Sequence, residues 1–418
     1  MSKFIIQGGK ILSGEIKVSG SKNALFPLMA AALLTEEECR FTNVPEIKDK
    51  QVMVELIQDL GVEVKVSDRA ISIKAANLKK SEPDPTLTGK FRGSVVLLGA
   101  LLARLGKVKM FFPGGDLIGK RPVAAHLSAF QVLGAKVSGN GNIQASAVKL
   151  IGATVVLEES SVTATENTIL AAVKAQGQTL IKLAAMEPHV QQLCEFLNNM
   201  GAKISGIGTT TIIVEGVAKL HGAEIELIPD SNEAASLIVL AAATKSQIKV
   251  TNLNPEFLDD FLLQLKKMGV NFQVGSDFVK VLAPTKEYLG AKIQCGLYPK
   301  LASDDVPALA VLATQATGES LVYEWLYENR LGYVDQLMQM GARAQILDPH
   351  RVKITGATPL HSAKITSYDI RMGMTLVIAA LIASGQSEIA GIEHIDRGYE
   401  NLETRLTKLG AEIKRLET

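Results

Sequence analysis

Phe196-Leu197-Asn198-Asn199-Met200-Gly201-Ala202-Lys203-Ile204-Ser205-Gly206 reads as the end of an amphipathic helix, a glycine, and the start of an alternating strand. Glycine directly after the last helical turn supplies a left-handed C-cap, and apolar/polar alternation beyond it marks β-structure. The same phrase occurs six times in the 418 residues, with its glycine at Gly61, Gly134, Gly201, Gly269, Gly341 and Gly410. Separations of 73, 67, 68, 72 and 69 residues define an internal repeat.

Half a repeat before each corner lies a nearly uninterrupted apolar segment: ALFPLMAAALL, SVVLLGALLA, TILAAVKA, ASLIVLAAA, ALAVLATQA and TLVIAALIA. A helix apolar on every face must be buried on every face. The openings of these helices are polar or charged: Ser21-Lys22-Asn23, Phe91-Arg92-Gly93-Ser94, Thr165-Glu166-Asn167, Asp230-Ser231-Asn232-Glu233, Ser303-Asp304-Asp305 and Asp369-Ile370-Arg371. A helix N-terminus carries free N–H groups and partial positive charge, so six equivalent openings predict anion binding. The expected fold class is α/β, six units sharing buried central helices, with an open solenoid as the alternative because period alone does not fix closure. Turn formers at Pro229-Asp230-Ser231-Asn232 divide the chain into a three-repeat domain over 20–229 and a second formed by 1–19 plus 230–418.

Composition narrows the function. The 44 Lys+Arg and 43 Asp+Glu leave a net charge of +1, so no bulk field attracts nucleic acid or anionic lipid. The longest apolar runs fall short of the roughly 18 residues of a membrane span, and the N-terminus lacks a secretory signal, so a cytoplasmic location is expected. Cys39, Cys194 and Cys295 are odd in number and widely spaced, which argues for reduced thiols. Zinc-protease, CxxC, GxSxG, P-loop and dinucleotide-binding motifs are all missing from the sequence.

Several constellations remain. Lys22 at the first turn of a buried helix opposes the helix dipole, a conflict that an anion would resolve. Arg92, Arg330 and Arg371 repeat the theme of a base near a helix opening or strand end. The stretch Phe112-Pro113-Gly114-Gly115-Asp116-Leu117-Ile118-Gly119-Lys120-Arg121-Pro122 suits a flexible lid carrying a catalytic group. Ser303-Asp304-Asp305 offers two acids where a cap needs one, so either Asp304 or Asp305 is a candidate base.

SGSKNA (19–24), RGS (92–94), GGDLIGKRPV (114–123), SVTATEN (161–167), EPHV (187–190), YENR (327–330), DIR (369–371) and HIDRGYE (394–400) resemble the enolpyruvyl transferases from end to end. Within them the chain is similar to the family acting on UDP-N-acetylglucosamine at the opening of peptidoglycan synthesis. The sister family acting on 3-phosphoshikimate has serine where Asn23 stands and lacks the long glycine loop. The resemblance implies a two-domain inside-out α/β barrel, two substrates, phosphoenolpyruvate and UDP-N-acetylglucosamine, and no metal or organic cofactor. It implies that Lys22, Arg121 and Arg397 hold phosphoenolpyruvate with Arg371 close by, and that Asn23, Arg92, Arg121, Pro122, Val123, Ser161, Val162, Asp304 and Leu326 contact the nucleotide sugar, near Arg330. Asp116 is implied as the lid acid and Asp304 as the aligned base, with Asp305 one residue away.

Three departures stand out. Many family members carry cysteine where this chain has Asp116, and that cysteine is what fosfomycin alkylates, so insensitivity to fosfomycin is expected. A carboxyl ionises near 3.9 and a thiol near 8.5, which makes protonation of the lid acid the constraint. Ala124 stands where the family has an aspartate that reads uracil, and Glu159 where it has a lysine. Three alternatives follow: a paralogue acting on another nucleotide sugar, a member of the sister family acting on 3-phosphoshikimate, and a non-catalytic binding protein on the same fold.

Overall fold

All six glycines that end the repeated phrase have left-handed backbone, with φ between 81° and 98°. A side chain is disfavoured there, which is why the position is glycine in every repeat. Each follows an outer helix: Lys48–Asp59, Ala124–Val132, Pro188–Asn199, Asp259–Lys267, Tyr333–Gln339 and Leu402–Lys408. Each leads into a strand at the edge of a sheet: Glu63–Ser67, Lys136–Ser138, Lys203–Ser205, Phe272–Val274, Arg343–Asp348 and Glu412–Leu416. The computed structural model describes residues 2–116, 118–139 and 141–417.

The apolar segments form six central helices: Lys22–Ala31, Leu97–Leu105, Val162–Ala172, Ser231–Ala243, Val306–Thr314 and Ile370–Ile382. Their enclosure is nearly complete. In Ser231–Ala243 every residue from Glu233 onward is buried, and in Val306–Thr314 every residue is. Among the described residues no helix is long and apolar enough to cross a membrane.

The chain divides into two compact units. One contains residues up to Ser19, the segment Asp116–Lys120, and everything from Pro229; the other contains Gly20–Gly115 and Arg121–Ile228. In the first, the central helices Ser231–Ala243, Val306–Thr314 and Ile370–Ile382 each pack on the other two, and each lies against its own four-stranded sheet. In the second, Leu97–Leu105 packs on both Lys22–Ala31 and Val162–Ala172.

Strand pairing closes both units, which an open solenoid does not do. In the first, Lys3–Gln7 inserts antiparallel between Gln386–Ala390 and Glu412–Leu416, so Phe4 stands opposite Ile389 and Arg415. Ser13–Lys17 runs parallel to Gln247–Thr251 in the same unit. In the second, Glu224–Glu226 runs parallel to Glu38–Thr42. Among the described residues five sheets have four strands, one edge strand of each running parallel to its neighbour. The sixth, Lys107–Met110 with Ile143–Ser146 and Lys136–Ser138, has three. Ser81-Glu82-Pro83-Asp84-Pro85 takes the place of its fourth strand, with Lys109 N donating to Ser81 O at 3.0 Å. Its two prolines have no N–H to extend a ladder.

Inside the second unit one polar side chain fixes the approach of two central helices. Asn167 is fully buried; its Oδ1 accepts from Gly99 N at 2.6 Å, and its Nδ2 donates to Val95 O at 3.0 Å and Thr163 O at 2.9 Å. A Cβ on Gly99 would lie 2.2 Å from Asn167 O. Gly99→Ala should therefore force the helices apart and lower unfolding stability by about 3 kcal/mol, measured by denaturant titration. Wild-type stability in that variant would show that the contact relaxes without strain.

Candidate active site

In the first unit, three central-helix openings converge on one carboxylate. Asp304, in the 3-10 turn Ser303–Asp305, accepts from Arg330 Nη2 at 2.6 Å through Oδ1, and through Oδ2 from Arg371 Nε at 2.7 Å and Asn232 Nδ2 at 3.1 Å. Burial by itself raises the Asp304 carboxyl, but Arg371 and Arg330 more than offset that and hold it well below the usual carboxylate range. The neighbouring Asp305 is 3% exposed; burial, then the Asp304 charge, push it well above that range. The pair ionises at one site, and Asp304 carries the charge. Neither acid caps the helix Val306–Thr314 with its side chain.

The two arginines are braced from behind. Arg330 Nη1 donates to Ser303 Oγ at 2.9 Å, and Ser303 in turn donates to Glu324 Oε2 at 2.7 Å. The other Glu324 oxygen accepts from Leu326 N at 2.9 Å and Cys295 Sγ at 3.3 Å. This buried acid thus sets the turn that presents Leu326, which is exposed. Arg371 stands in the first turn of Ile370–Ile382, whose N-cap, Asp369, accepts from Arg371 N and Met372 N, both at 2.8 Å.

Asp116 and Arg397 form an ion pair at 2.5 Å in this same unit. Arg397 belongs to the turn Ile395–Arg397, and the adjacent Asp396 is tied to Arg415 Nη2 at 2.7 Å, which anchors the backbone of the HIDRGYE segment. Gly114 and Gly115 of the 112–122 loop stand where a side chain would collide with backbone or with the base of a neighbouring side chain, and Gly119 faces the carboxylate end of Glu328. A Cβ on Gly114 would lie 1.8 Å from Gly89 O, one on Gly115 2.9 Å from Arg92 Cβ, and one on Gly119 2.6 Å from Glu328 Oε2. Glu328 Oε1 also accepts from Lys120 N at 3.0 Å. Leu117 lies outside the described residues.

The second unit holds the remaining candidates. Lys22, with Asn23 beside it, opens the helix Lys22–Ala31 and pairs with the buried Asp49 at 2.6 Å, so a carboxylate relieves its conflict with the dipole. Arg92 Nη2 donates to Pro122 O at 3.4 Å, and Gly115 packs against both Arg92 and Arg121 Nη2. Val123 and Ser161, followed by Val162, are the N-cap residues of Ala124–Val132 and Val162–Ala172. His126 Nε2 lies 3.0 Å from Thr163 Oγ1 and ties these two helix starts together.

Sequence reasoning placed the cations correctly at helix openings but expected those openings to attract anions through vacant N–H groups. Four of them carry their own acceptor instead: Ser21, Ser161, Asp230 and Asp369. It missed Asn232, Asp49, Glu324 and His126 as partners of the candidate residues. Only for Asn232 did a signal exist, its place at the opening of the fourth repeat.

The fold and this constellation define an enolpyruvyl transferase: the chain belongs to the EPSP synthase (3-phosphoshikimate 1-carboxyvinyltransferase) family, whose pattern matches residues 6–406. Among its relatives, the UDP-N-acetylglucosamine 1-carboxyvinyltransferase of Bradyrhizobium diazoefficiens is 43% identical, over 99% of this chain and 98% of that one. The protein of the same name from Borreliella burgdorferi is 41% identical over the full length of both. Among solved structures, the enolpyruvyl transferase NikO from Streptomyces tendae superposes with a TM-score of 0.90 at 25% identity, covering 100% of this chain and 99% of that one. An EPSP synthase from Acinetobacter baumannii, at TM-score 0.77 and 21% identity over the full length of both, matches in fold.

His126 gives the site a pH dependence. It is 1% exposed, and burial, with Arg92 nearby, holds its ring at about 3. The unfolded chain takes up this proton below about 6.5 while the folded chain does not, so the stability is present above that value and is lost as pH falls toward 3. Lowering pH from 7 to 5 should cost about 2 kcal/mol at this residue. In His126→Gln that increment should vanish from urea unfolding compared at the two pH values; an undiminished loss would place its origin elsewhere.

Proposed function

We propose that this chain transfers the enolpyruvyl group of phosphoenolpyruvate to the 3-hydroxyl of UDP-N-acetylglucosamine and releases phosphate. This is the first committed step of peptidoglycan synthesis, a cytoplasmic reaction serving cell wall biogenesis, cell shape and cell division. The observation that carries the reading is identity of about 40% along the whole chain to proteins of that one name.

Lys22, Arg121 and Arg397 take the phosphate and carboxylate of phosphoenolpyruvate, with Arg371 alongside. Asn23, Arg92, Pro122, Val123, Ser161, Val162, Leu326 and Arg330 hold the nucleotide sugar. An anion that engages Arg397 draws it away from Asp116, whose carboxyl, once protonated, delivers its proton to the methylene carbon. The sugar hydroxyl attacks the resulting cationic C2 and gives its proton to Asp304; the Asp116 carboxylate then takes back a methyl proton as phosphate leaves with the proton held by Asp304, which yields the enol ether and restores both acids. Asp304 suits the base because it is the anion of its pair, while Asp305 is held protonated by burial.

A paralogue acting on another nucleotide sugar is the second reading, favoured by Ala124, which opens its helix without a carboxyl, and by Glu159, which is exposed. Phosphate release from phosphoenolpyruvate should require UDP-N-acetylglucosamine and should not occur with shikimate 3-phosphate. A panel of nucleotide sugars assayed in parallel separates the two readings. Turnover with shikimate 3-phosphate alone would overturn both.

The lid acid yields a further expectation. Asp116→Ala should lower kcat at least about 100-fold. The natural chain should resist covalent inactivation by fosfomycin, because a carboxylate is a far poorer nucleophile toward its epoxide than a thiolate. Asp116→Cys should stay active, become inactivated with time by fosfomycin, and show a basic limb of its pH–rate profile moved upward, since a thiol ionises near 8.5. Rapid inactivation of the natural chain, or full activity of the alanine variant, would remove Asp116 from the proton-donor role.

A further inference from the structure

The hydrogen-bond directions around Asp304 lead to a residue outside the substrate contacts. Ser236 Oγ lies 2.9 Å from Asn232 O, and a carbonyl can only accept, so the hydroxyl proton of Ser236 goes there. Ser236 Oγ also lies 3.0 Å from Tyr399 Oη and, its own proton spent, must accept the phenol's. The phenol oxygen is left as an acceptor, and Arg371 Nη1 donates to it at 3.2 Å. Arg371 Nε then donates to Asp304 Oδ2, the oxygen that also takes Asn232 Nδ2. The ring closes on Asn232, whose carbonyl begins the relay and whose amide ends on the carboxylate. Every proton in it has one position.

Tyr399 is 1% exposed, and the Arg371 guanidinium carbon stands 5.7 Å from its ring centroid. The phenol thus supplies both a face and an acceptor to the arginine. We propose that Tyr399 is a positioning residue for the transfer: through Arg371 it sets where the Asp304 carboxylate points and how readily it accepts the hydroxyl proton. This rests on the reading of Asp304 as the base.

Other charged groups also bear on this pair. Arg330 grips the second Asp304 oxygen, braced by Glu324 through Ser303. Asp305 adjoins Asp304, Asp230 faces Arg371 and Tyr399 from the opening of Ser231–Ala243, and Asp369 faces Arg330. All of these remain in Tyr399→Phe, which keeps the ring and deletes the phenol oxygen alone.

With Arg371 released on that side, its hold on Asp304 loosens and the carboxylate is less well aimed at the hydroxyl. Tyr399→Phe should show kcat roughly tenfold lower with KM for both substrates within about twofold of wild type. Ser236→Ala, which removes the group that orients the phenol, should lower kcat by less, again with KM unchanged, and it decides the matter if the phenylalanine variant does not fold. Wild-type kcat in the folded variants, or a rise confined to KM, would overturn the proposal. Asp304→Asn, run alongside, separates the two ideas. Loss of turnover at every pH with sugar binding retained leaves the base reading standing whatever Tyr399 does, whereas wild-type turnover in that variant removes the base and the proposal with it.

Discussion

A helix that is apolar on every face can meet water only at its ends. That constraint, imposed six times, shapes this protein: each unit must surround its central helices with sheet and outer helix, and the polar character of those helices is forced to their openings. In the first unit Asn232, Asp304 and Arg371 stand at the openings of three successive repeats, and all three meet at one carboxylate. In the second, Lys22, Arg92 and Ser161 stand at the corresponding three. The chemistry collects where burial leaves room for it.

Such a centre is costly to assemble. Taking a carboxylate and two guanidiniums out of water carries a desolvation penalty of several kcal/mol per ion that their mutual attraction repays only with good geometry. Here the geometry is secured by the neighbours: Ser303, held by Glu324, behind Arg330, and Asp305 kept uncharged beside Asp304. Had Asp305 also ionised, two adjacent negative charges would compete for the same arginines. The burial that suppresses its charge is therefore as much a part of the site as the arginines are.

The repeat, its buried helices and its glycine corners were legible in the sequence because each is a local pattern of a few residues. So were the cations at Lys22, Arg92, Arg330 and Arg371, since a charge beside an apolar run is conspicuous. Their partners were not. Asn232 and Asp304 lie 72 residues apart and Asp304 and Arg371 67 apart, and which oxygen receives which donor depends on how repeats pack. Asp49 beside Lys22 sits in an outer helix that looks solvent-facing by pattern alone. The loop glycines are ambiguous for a related reason: a glycine required by a neighbour's backbone and one placed for mobility are written with the same letter.

The pairing of Lys3–Gln7 with the last two strands of the chain also bears on how the protein is made. On a ribosome, the stretch from Gly20 to Ile228 contains every strand of its own three sheets and can complete its core while synthesis continues. The opening strands cannot. They leave the ribosome long before their partners, which lie beyond that stretch. Ser13–Lys17 must wait unpaired until Gln247–Thr251 is made, and Lys3–Gln7 until Gln386–Ala390 and Glu412–Leu416 are, an interval in which exposed strand edges are most prone to wrong partners. The lysines at 3, 10 and 17 and the glycines at 8, 9 and 14 make that waiting segment a poor template for aggregation.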